Sequence, residues 1–538
     1  AKAMEMTVVE DTVMYNAAAF TVTEGAVVEE LVKKLPGVTI DDSGNYLFNG
    51  KTVSEFLVDG KTFFGGNREL ILRNLPADII DRIKAYDKQS DLARITGIDD
   101  GNERTVLDLI VKKDKKRGWF GNIDAGGGTE KRYNGRTNVN RFVGDDKFSV
   151  VGNVGNTGGN GTTDNQSGGI NLQRQRQKLE LQGSVNGNWS QSDNWSETST
   201  QSFESTRAAF SNSRNSNNGR NRNGSANLKM EWRPDSLTNI IFQTNGNLGS
   251  STSGGESESA SFNANPYDVE GVLDPLRDYD LITRGLRVNH NLNNNHNDNS
   301  NWNANASLQV NRRLNKPGRN LTLALEGSLG DKTGHSESYA QIDYYQILAL
   351  TGEDSVYHKI QYSDTGNKNS SWGARLSYTE PVGDRIYLQA SYNYRYQWQD
   401  QDRTVASIFD PWSEEWTRET FRNWRSAASP DIDQCRYVEN HNYNHDIRLQ
   451  LRMNRTRYRF TVGVNVRPMT NRTEYDKGRK HYDLSRTVCN VAPTINYRFR
   501  FSKQEQVEFR YNGSSSQPGI QQLIPDTLNN ANPLNISL

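Results

Sequence analysis

The stretch RLQLRMNRTRYRFTVGVNVRP, residues 448–468, decides the fold. Leu449, Leu451 and Met453 alternate with Arg448, Gln450, Arg452 and Asn454. After NRTR the alternation resumes, with Tyr458, Phe460, Val462, Val464 and Val466 set against Arg457, Arg459, Thr461, Asn465 and Arg467. Successive side chains of a strand point to opposite faces, so the segment reads as a hairpin with one apolar and one arginine-rich face.

Composition limits what can cover the apolar face. The chain has 538 residues, of which only 33% are hydrophobic, and its mean hydropathy is −0.84. Low hydrophobicity with high net charge would imply disorder. Here 64 Lys and Arg balance 64 Asp and Glu, and aromatic residues recur at strand spacing. The same balance removes the electrostatic case for nucleic-acid binding. No run approaches the roughly 18 apolar residues of a membrane-spanning helix. Two cysteines, Cys435 and Cys489, make no disulfide framework and leave open whether they pair. The chain opens without the charged and apolar regions of a secretory signal.

The two-residue period returns throughout. In NLTLALEGSLG (320–330), Leu321, Leu323, Leu325 and Leu329 face one way and Thr322, Glu326 and Ser328 the other. In RIYLQASYNYRYQWQ (385–399), Ile386, Leu388, Ala390, Tyr392, Tyr394, Tyr396 and Trp398 oppose Arg385, Tyr387, Gln389, Ser391, Asn393, Arg395 and Gln397. The polar face is too uniformly polar for a buried layer. A closed membrane barrel suits it, with apolar side chains toward lipid and polar ones toward the lumen. Short connections such as 143–147, 233–237, 315–319, 382–385, 454–457 and 501–506 are expected to turn hairpins on one side. Longer Gly-, Asn- and Ser-rich linkers, 194–220, 253–300 and 400–440, are expected as loops on the other. About 15 strands lie between Trp119 and Gly513. Bacterial barrels have even strand numbers, so the expectation is a truncated barrel.

The first 116 residues follow another pattern. TEGAVVEELVKKLPG reads as a short helix with Val28, Leu31, Val32 and Leu35 on one face, ended by Pro36-Gly37. VTIDDSGNYLFNG and KTVSEFLVDGKTFFGG read as brief strands and turns. LPADIIDRIKAYD reads as a short helix beginning near Pro76 and running into a strand. The expectation is a small α/β domain over 1–116, followed by a partial barrel over 117–538.

The segment EELVKKLPGVTIDDSGNYLFNGKTVSEFLVDGKTFFGG, followed by LPADIIDRIKAYD, resembles the plug of TonB-dependent outer-membrane receptors, in a branch related to glycan importers. RRLNKPGRNLTLALEGS and LIPDTLNNANPLNISL resemble barrel segments of that branch. The resemblance implies a mainly β protein of the bacterial outer membrane, its barrel of about 22 strands occluded by the plug. It implies active, non-enzymatic import of a glycan fragment, peptide or metal chelate, without a cofactor. Its partners would be outer-membrane lipid, the periplasmic TonB complex through a segment outside this sequence, and a surface lipoprotein. A non-transporting adhesin or structural barrel is the alternative.

Few local motifs suggest chemistry. His441 and His445 lie four apart, about 13 Å on a strand at roughly 3.4 Å per residue, which excludes a shared zinc. They are expected as strand-end residues near the outer rim. GGNGTTD (158–164) departs from the calcium nonapeptide and does not recur. NGT, NWS and NGS are compositional in an Asn-rich chain, and the glycine clusters lack a phosphate-loop lysine. Neither a nucleophile–base set nor a carboxylate pair emerges. Trp412, Trp416 and Trp424, in IFDPWSEEWTRETFRNW, are the candidate substrate-binding residues. Their faces could stack on a sugar, or equally pack the loop on itself or join an interfacial belt.

Overall fold

The computed structural model describes the chain apart from residues 1–4, 10–11, 24, 67, 91–93, 95–102, 160, 204–207, 349–353, 410–424, 427, 456, 502–504, 514–527, 530–535 and 538. Nine short strands lie in the N-terminal region: β1 (Met6–Val9), β2 (Thr12–Asn16), β3 (Val38–Ile40), β4 (Tyr46–Phe48), β5 (Lys51–Thr52), β6 (Glu55–Val58), β7 (Lys61–Thr62), β8 (Ile80–Lys88) and β9 (Arg104–Val111). Six form a sheet in the order β1-β2-β8-β9-β6-β7, with β3-β4-β5 a separate small sheet. Among the described residues, only the β6–β9 pairing is parallel.

Helix α1 (Val28–Val32) buries Val28, Leu31 and Val32. Its chain then turns at Gly37, where φ is +82° and a Cβ would meet the Asn49 side chain at 2.5 Å. That position requires glycine. A single 3-10 turn follows Pro76, over Ala77–Ile79, and runs directly into β8. The sequence pattern missed helix α2 (Arg68–Asn74), which contributes Leu70, Ile71 and Leu72 to the core.

Apart from a two-residue pair near the end of the chain, Leu528–Asn529 with Ile536–Ser537, the remaining strands make one antiparallel sheet. They are β10 (Arg117–Gly127), β11 (Tyr133–Val143), β12 (Asp146–Gly159), β13 (Gly161–Gln175), β14 (Leu179–Gln201), β15 (Phe210–Trp232), β16 (Thr238–Phe262), β17 (Arg287–Arg313), β18 (Asn320–Leu348), β19 (Asp354–Gly383), β20 (Ile386–Phe409), β21 (Ser429–Pro430), β22 (Arg436–Asn454), β23 (Tyr458–Lys477), β24 (Lys480–Arg500) and β25 (Gln506–Asn512). Each pairs with its neighbour in chain order, except that β20 passes to β22 and tiny β21 sits aside on β20. The fifteen strands of this path agree with the count read from alternation.

Burial in this sheet is inverted relative to a soluble protein. Leu449 and Leu451 are 48% and 36% exposed, whereas their neighbours Gln450 and Arg452 are 8% and 6% exposed. Leu323 is 42% exposed beside Thr322 at 4%. An apolar face this extensive, left uncovered by protein, requires a nonaqueous neighbour. On β14 the outward face carries Leu179, Leu181, Val185 and Trp189, and then, six residues further on, Trp195 at 59% exposed. At roughly 3.4 Å per residue and a tilt near 40°, the span from Leu179 to Trp189, with Trp195 standing beyond it, is roughly 26 Å tall, close to the apolar band of an outer-membrane barrel. Its upper edge carries aromatic rings: Trp372 lies 5.2 Å from Tyr394 and 6.0 Å from Tyr396, and Tyr396 lies 5.2 Å from Tyr443.

Two sequence-based expectations require correction. At least half of the described residues in each of the linkers 194–220, 253–300 and 400–440 are strand: β14 to β20 are 23 to 30 residues long. A tilted membrane strand needs only about 9–11 residues, so the wall continues well beyond the lipid. There both faces meet water, alternation disappears, and an Asn- and Ser-rich strand resembles a loop. Among the described residues of these linkers, a structured connection joins β16 to β17. Its Leu276 and Leu281, the latter in helix α3 (Asp280–Thr283), pack on Ala260 and Phe262. The second correction concerns His441 and His445. Both lie inside β22 rather than at its end, against the aromatic belt. The Tyr396 hydroxyl is 2.9 Å from His441 Nδ1, and that of Tyr392 is 2.8 Å from His445 Nδ1.

Candidate functional site: the chamber between plug and wall

The polar face of the sheet encloses the N-terminal α/β region. Phe142 of β11 and Val151 of β12, both almost fully buried, join its hydrophobic core. Phe63 meets the edge of Phe142 with ring centroids 6.4 Å apart, and Phe142 meets Phe120 at 4.8 Å. These few apolar contacts fix one side of the region to the wall.

Polar contacts complete the docking. The β6–β7 hairpin turns through Asp59 (φ +51°) and Gly60 (φ +78°), the left-handed pair of a tight type I′ turn. The turn projects Asp59 toward the sheet. Its carboxylate accepts from Lys147 Nζ of β12 at 2.6 Å, from Lys116 Nζ at 3.0 Å and from the Val111 amide at 3.1 Å. Burial pushes the Asp59 carboxyl upward, but the Lys147 and Lys116 charges outweigh it and hold the group below its ordinary value. Asp108, which accepts from the Gly60 amide at 2.7 Å, is raised instead, chiefly by burial. Further along, the Phe64 amide donates to Asn171 Oδ1 at 2.9 Å, Lys61 pairs with Glu180, and Arg94 pairs with Glu231 at 2.9 Å.

On the other side, plug and wall separate to leave a chamber of about 1060 Å³. Its lining runs from Asn171 of β13 to Arg452 of β22 and includes Glu55, Lys88 and Arg104 of the α/β region. Strands far apart in the sheet thus face one space, as curvature around the plug requires. The wall contributes mainly Asn, Gln and Ser, which can donate to and accept from a hydrated solute. The fold is a plug seated against a barrel-type sheet.

Another concavity, of about 1100 Å³, lies on the lipid-facing side among Gly152, Gly168, Gly187 and Gly224, glycines paired across successive strands. Its position outside the lumen separates it from any route through the wall. Glu474, Asp476 and His481 gather at the exposed β23–β24 tip, a grouping that histidine spacing alone did not show. Exposed carboxylates of this kind need no ion. The candidate residues Trp412, Trp416 and Trp424 lie outside the described residues. Sequence reasoning missed Asp59, Lys147 and Asn171 as docking residues. The Asp-Gly turn was visible, but Lys147 lies 88 positions from Asp59, and Asn171 lies 107 positions from Phe64.

No family model matches the chain, and no curated protein does. Solved structures do align along most of its length. The alcaligin outer membrane receptor FauA from Bordetella pertussis is 9% identical, with 95% of this chain and 93% of that chain covered and a TM-score of 0.22. The siderophore receptor PiuA from Acinetobacter baumannii is 10% identical, with 93% and 86% covered and a TM-score of 0.30. The copper transporter OprC is 6% identical, with 93% and 91% covered and a TM-score of 0.23. Likenesses this distant add no weight to the fold, which rests on strand order, inverted burial and the enclosed plug.

Proposed function

We propose that this chain is the plug and barrel portion of a TonB-dependent receptor that imports a solute across the bacterial outer membrane. The supporting observation is the polar chamber between the N-terminal α/β region and the inner face of an inside-out sheet. A passive anchor or adhesin has no use for an internal obstruction with a hydrated gap beside it. On this reading residues 1–116 form the plug domain and 117–538 the barrel portion. Plug displacement, driven from the periplasm by TonB, widens the chamber into a route. The chain's own residues bind and guide the solute and perform no covalent chemistry. The faces of Trp412, Trp416 and Trp424 supply a stacking surface for it, and a surface lipoprotein is a candidate partner. The candidate solutes remain a glycan fragment, a peptide and a metal chelate.

The test is uptake in the producing bacterium across a panel of glycans, peptides and chelates. Deletion of the gene should abolish uptake of one class, and inactivation of TonB should reproduce that loss. Uptake of every class unchanged by the deletion, or independent of TonB, would refute the proposal. Once the solute is known, Trp416→Ala should weaken its binding about 5- to 10-fold, corresponding to roughly 1 kcal/mol of lost stacking; unchanged affinity would remove the stacking role.

A further inference from the structure

The charge lining the chamber is uneven. Among the described residues, six lining side chains are Lys or Arg and three are Asp or Glu, a surplus of three positive charges. All three carboxylates are already engaged. Glu55 pairs with Lys88 at 3.1 Å and also accepts from the Thr62 hydroxyl. Asp446 pairs with Arg467 at 3.1 Å, and Glu103 lies 4.0 Å from Arg459. Arg104 of the plug and Arg375 of the wall, by contrast, make no side-chain hydrogen bond or ion pair with another described residue.

Neutral donors add to this surplus. Asn171 Nδ2 and Ser184 Oγ are buried without a hydrogen-bond partner, on residues only 3% and 5% exposed that line the same chamber. Asn171 has committed its oxygen to the Phe64 amide, so only its amide donor is left. A buried polar group without a partner is costly, and both belong to residues that line the chamber. Among the described residues, the chamber therefore presents two guanidiniums without a protein partner and two unpartnered neutral groups, while its carboxylates are paired. The guanidinium fork matches a planar or tetrahedral oxyanion.

We infer that the chamber selects anionic solutes, and that the imported substrate is a hydrophilic molecule carrying carboxylate or sulfate groups. The substrate clause rests on the import reading; the charge preference does not. A neutral solute would gain no ion pair from Arg104 and Arg375, and a cation would meet the positive surplus of the described lining.

Charged thiol reagents measure this preference without knowledge of the substrate. In the complete receptor in native outer membranes, Cys435 and Cys489 are replaced by Ser and a reporter is placed on the lining as Ser391→Cys. Its reaction rates with negatively charged 2-sulfonatoethyl methanethiosulfonate and positively charged 2-(trimethylammonium)ethyl methanethiosulfonate are compared. The reference is the same rate ratio for 2-mercaptoethanol in solution. The anionic reagent should be favoured by about 5- to 10-fold over reference, the scale on which a focused field raises local ion concentration. High salt should reduce the preference, and R104Q/R375Q should reduce it at least about 3-fold. Asn393→Cys provides a second reporter should Ser391→Cys disturb folding. A ratio at or below reference, a ratio unmoved by R104Q/R375Q, or failure of both reagents at both reporters would overturn the inference. Uptake intact with no anionic preference would sink this inference alone. Anionic preference without TonB-dependent uptake would sink only the import reading.

Discussion

The two halves of this molecule solve opposite solvation problems with the same amino acids. In the plug, Phe56, Leu57, Ile83, Leu107 and Leu109 are wholly buried, while Lys33, Lys51 and Arg82 reach outward into ion pairs. In the sheet, Leu323, Leu449 and Val491 face outward while Asn138, Asn140 and Ser149 are fully enclosed. A leucine is thus a core residue in one half and a lipid-facing residue in the other. Which it becomes depends on the solvent, and the period of the pattern reveals that solvent. The seam between the halves must satisfy both, and it does so with a small aromatic contact and charged pairs.

The largest break in this comparison is expected at the seam. Lys147 is 3% exposed and belongs to the wall, yet its only close charge partner among the described residues is plug Asp59. Removing one member of a buried pair typically costs about 3–5 kcal/mol when the other is left uncompensated; Asp59 keeps Lys116 at 3.0 Å, so the lower end, about 3 kcal/mol, is expected here. Lys147→Ala should therefore weaken plug docking by that amount, while the sheet stays assembled. Protease cleavage of the plug in the detergent-solubilised receptor, titrated with urea, reads the difference. An unchanged titration would show that the apolar contact of Phe63 with Phe142 carries docking alone.

Leu451→Arg comes next. If the outward face meets hydrocarbon, a guanidinium there costs up to roughly 2–4 kcal/mol, least near an interface. Gel mobility of the heated and unheated receptor follows barrel stability. A soluble sheet packed on that face would also suffer, so the discriminating measurement is labelling. Cysteines at 449, 451 and 453 should react with lipid-embedded thiol reagents and resist water-soluble ones. Those at 450 and 452 should do the reverse wherever the plug leaves access. Equal labelling of both sets by the water-soluble reagent would end the membrane assignment.

A smaller effect is expected inside the plug at Gly37. Alanine there adopts an unfavourable left-handed φ and pushes its Cβ against Asn49 Oδ1 at 2.5 Å. The strain should be on the order of 1–3 kcal/mol, seen in plug proteolysis and absent from the heat-mobility assay. Movement of both together would mean that plug and wall unfold as one unit.

The legibility of the chain follows from the same contrast. Alternation is visible wherever one face of a strand meets lipid and the other water, as at 320–330, 385–399 and 448–468. It fails above the membrane, where the stretch NLNNNHNDNSN of β17 has water on both sides and composition is the only remaining cue. Helix α1 was readable from its apolar face and its Pro-Gly stop. Helix α2 was not, because seven residues complete too few turns for a periodic signal. The chamber could not be read at all. Arg104, Arg375 and Ser184 lie on three distant strands, and only the curvature of the sheet brings them to one space.

The finest test uses two carboxylates of the docking turn that are shifted in opposite directions. Asp108 is 4% exposed, and burial outweighs the Gly60 amide that it accepts, so its folded-state pKa is raised. A raised carboxyl opposes folding once it must ionise. This penalty is absent below the unfolded value near about 3.9, grows as pH rises toward the folded value, and is then constant. Asp108→Asn keeps an oxygen for the Gly60 amide and removes the ionisation. It should therefore stabilise the plug slightly at neutral pH, with the gain shrinking to nothing as pH falls below about 3.9. Asp59 carries the opposite sign. Its lowered pKa contributes docking stability that is present above its unfolded value and lost as pH falls through the folded one. Asp59→Asn should consequently weaken docking at neutral pH, and the deficit should close only in acid. Urea titrations of plug protection at pH 7 and near pH 3 distinguish the two. If both substitutions shift docking in the same direction at pH 7, the turn is held by its backbone geometry, and the ion pairs with Lys147 and Lys116 are incidental to the seam.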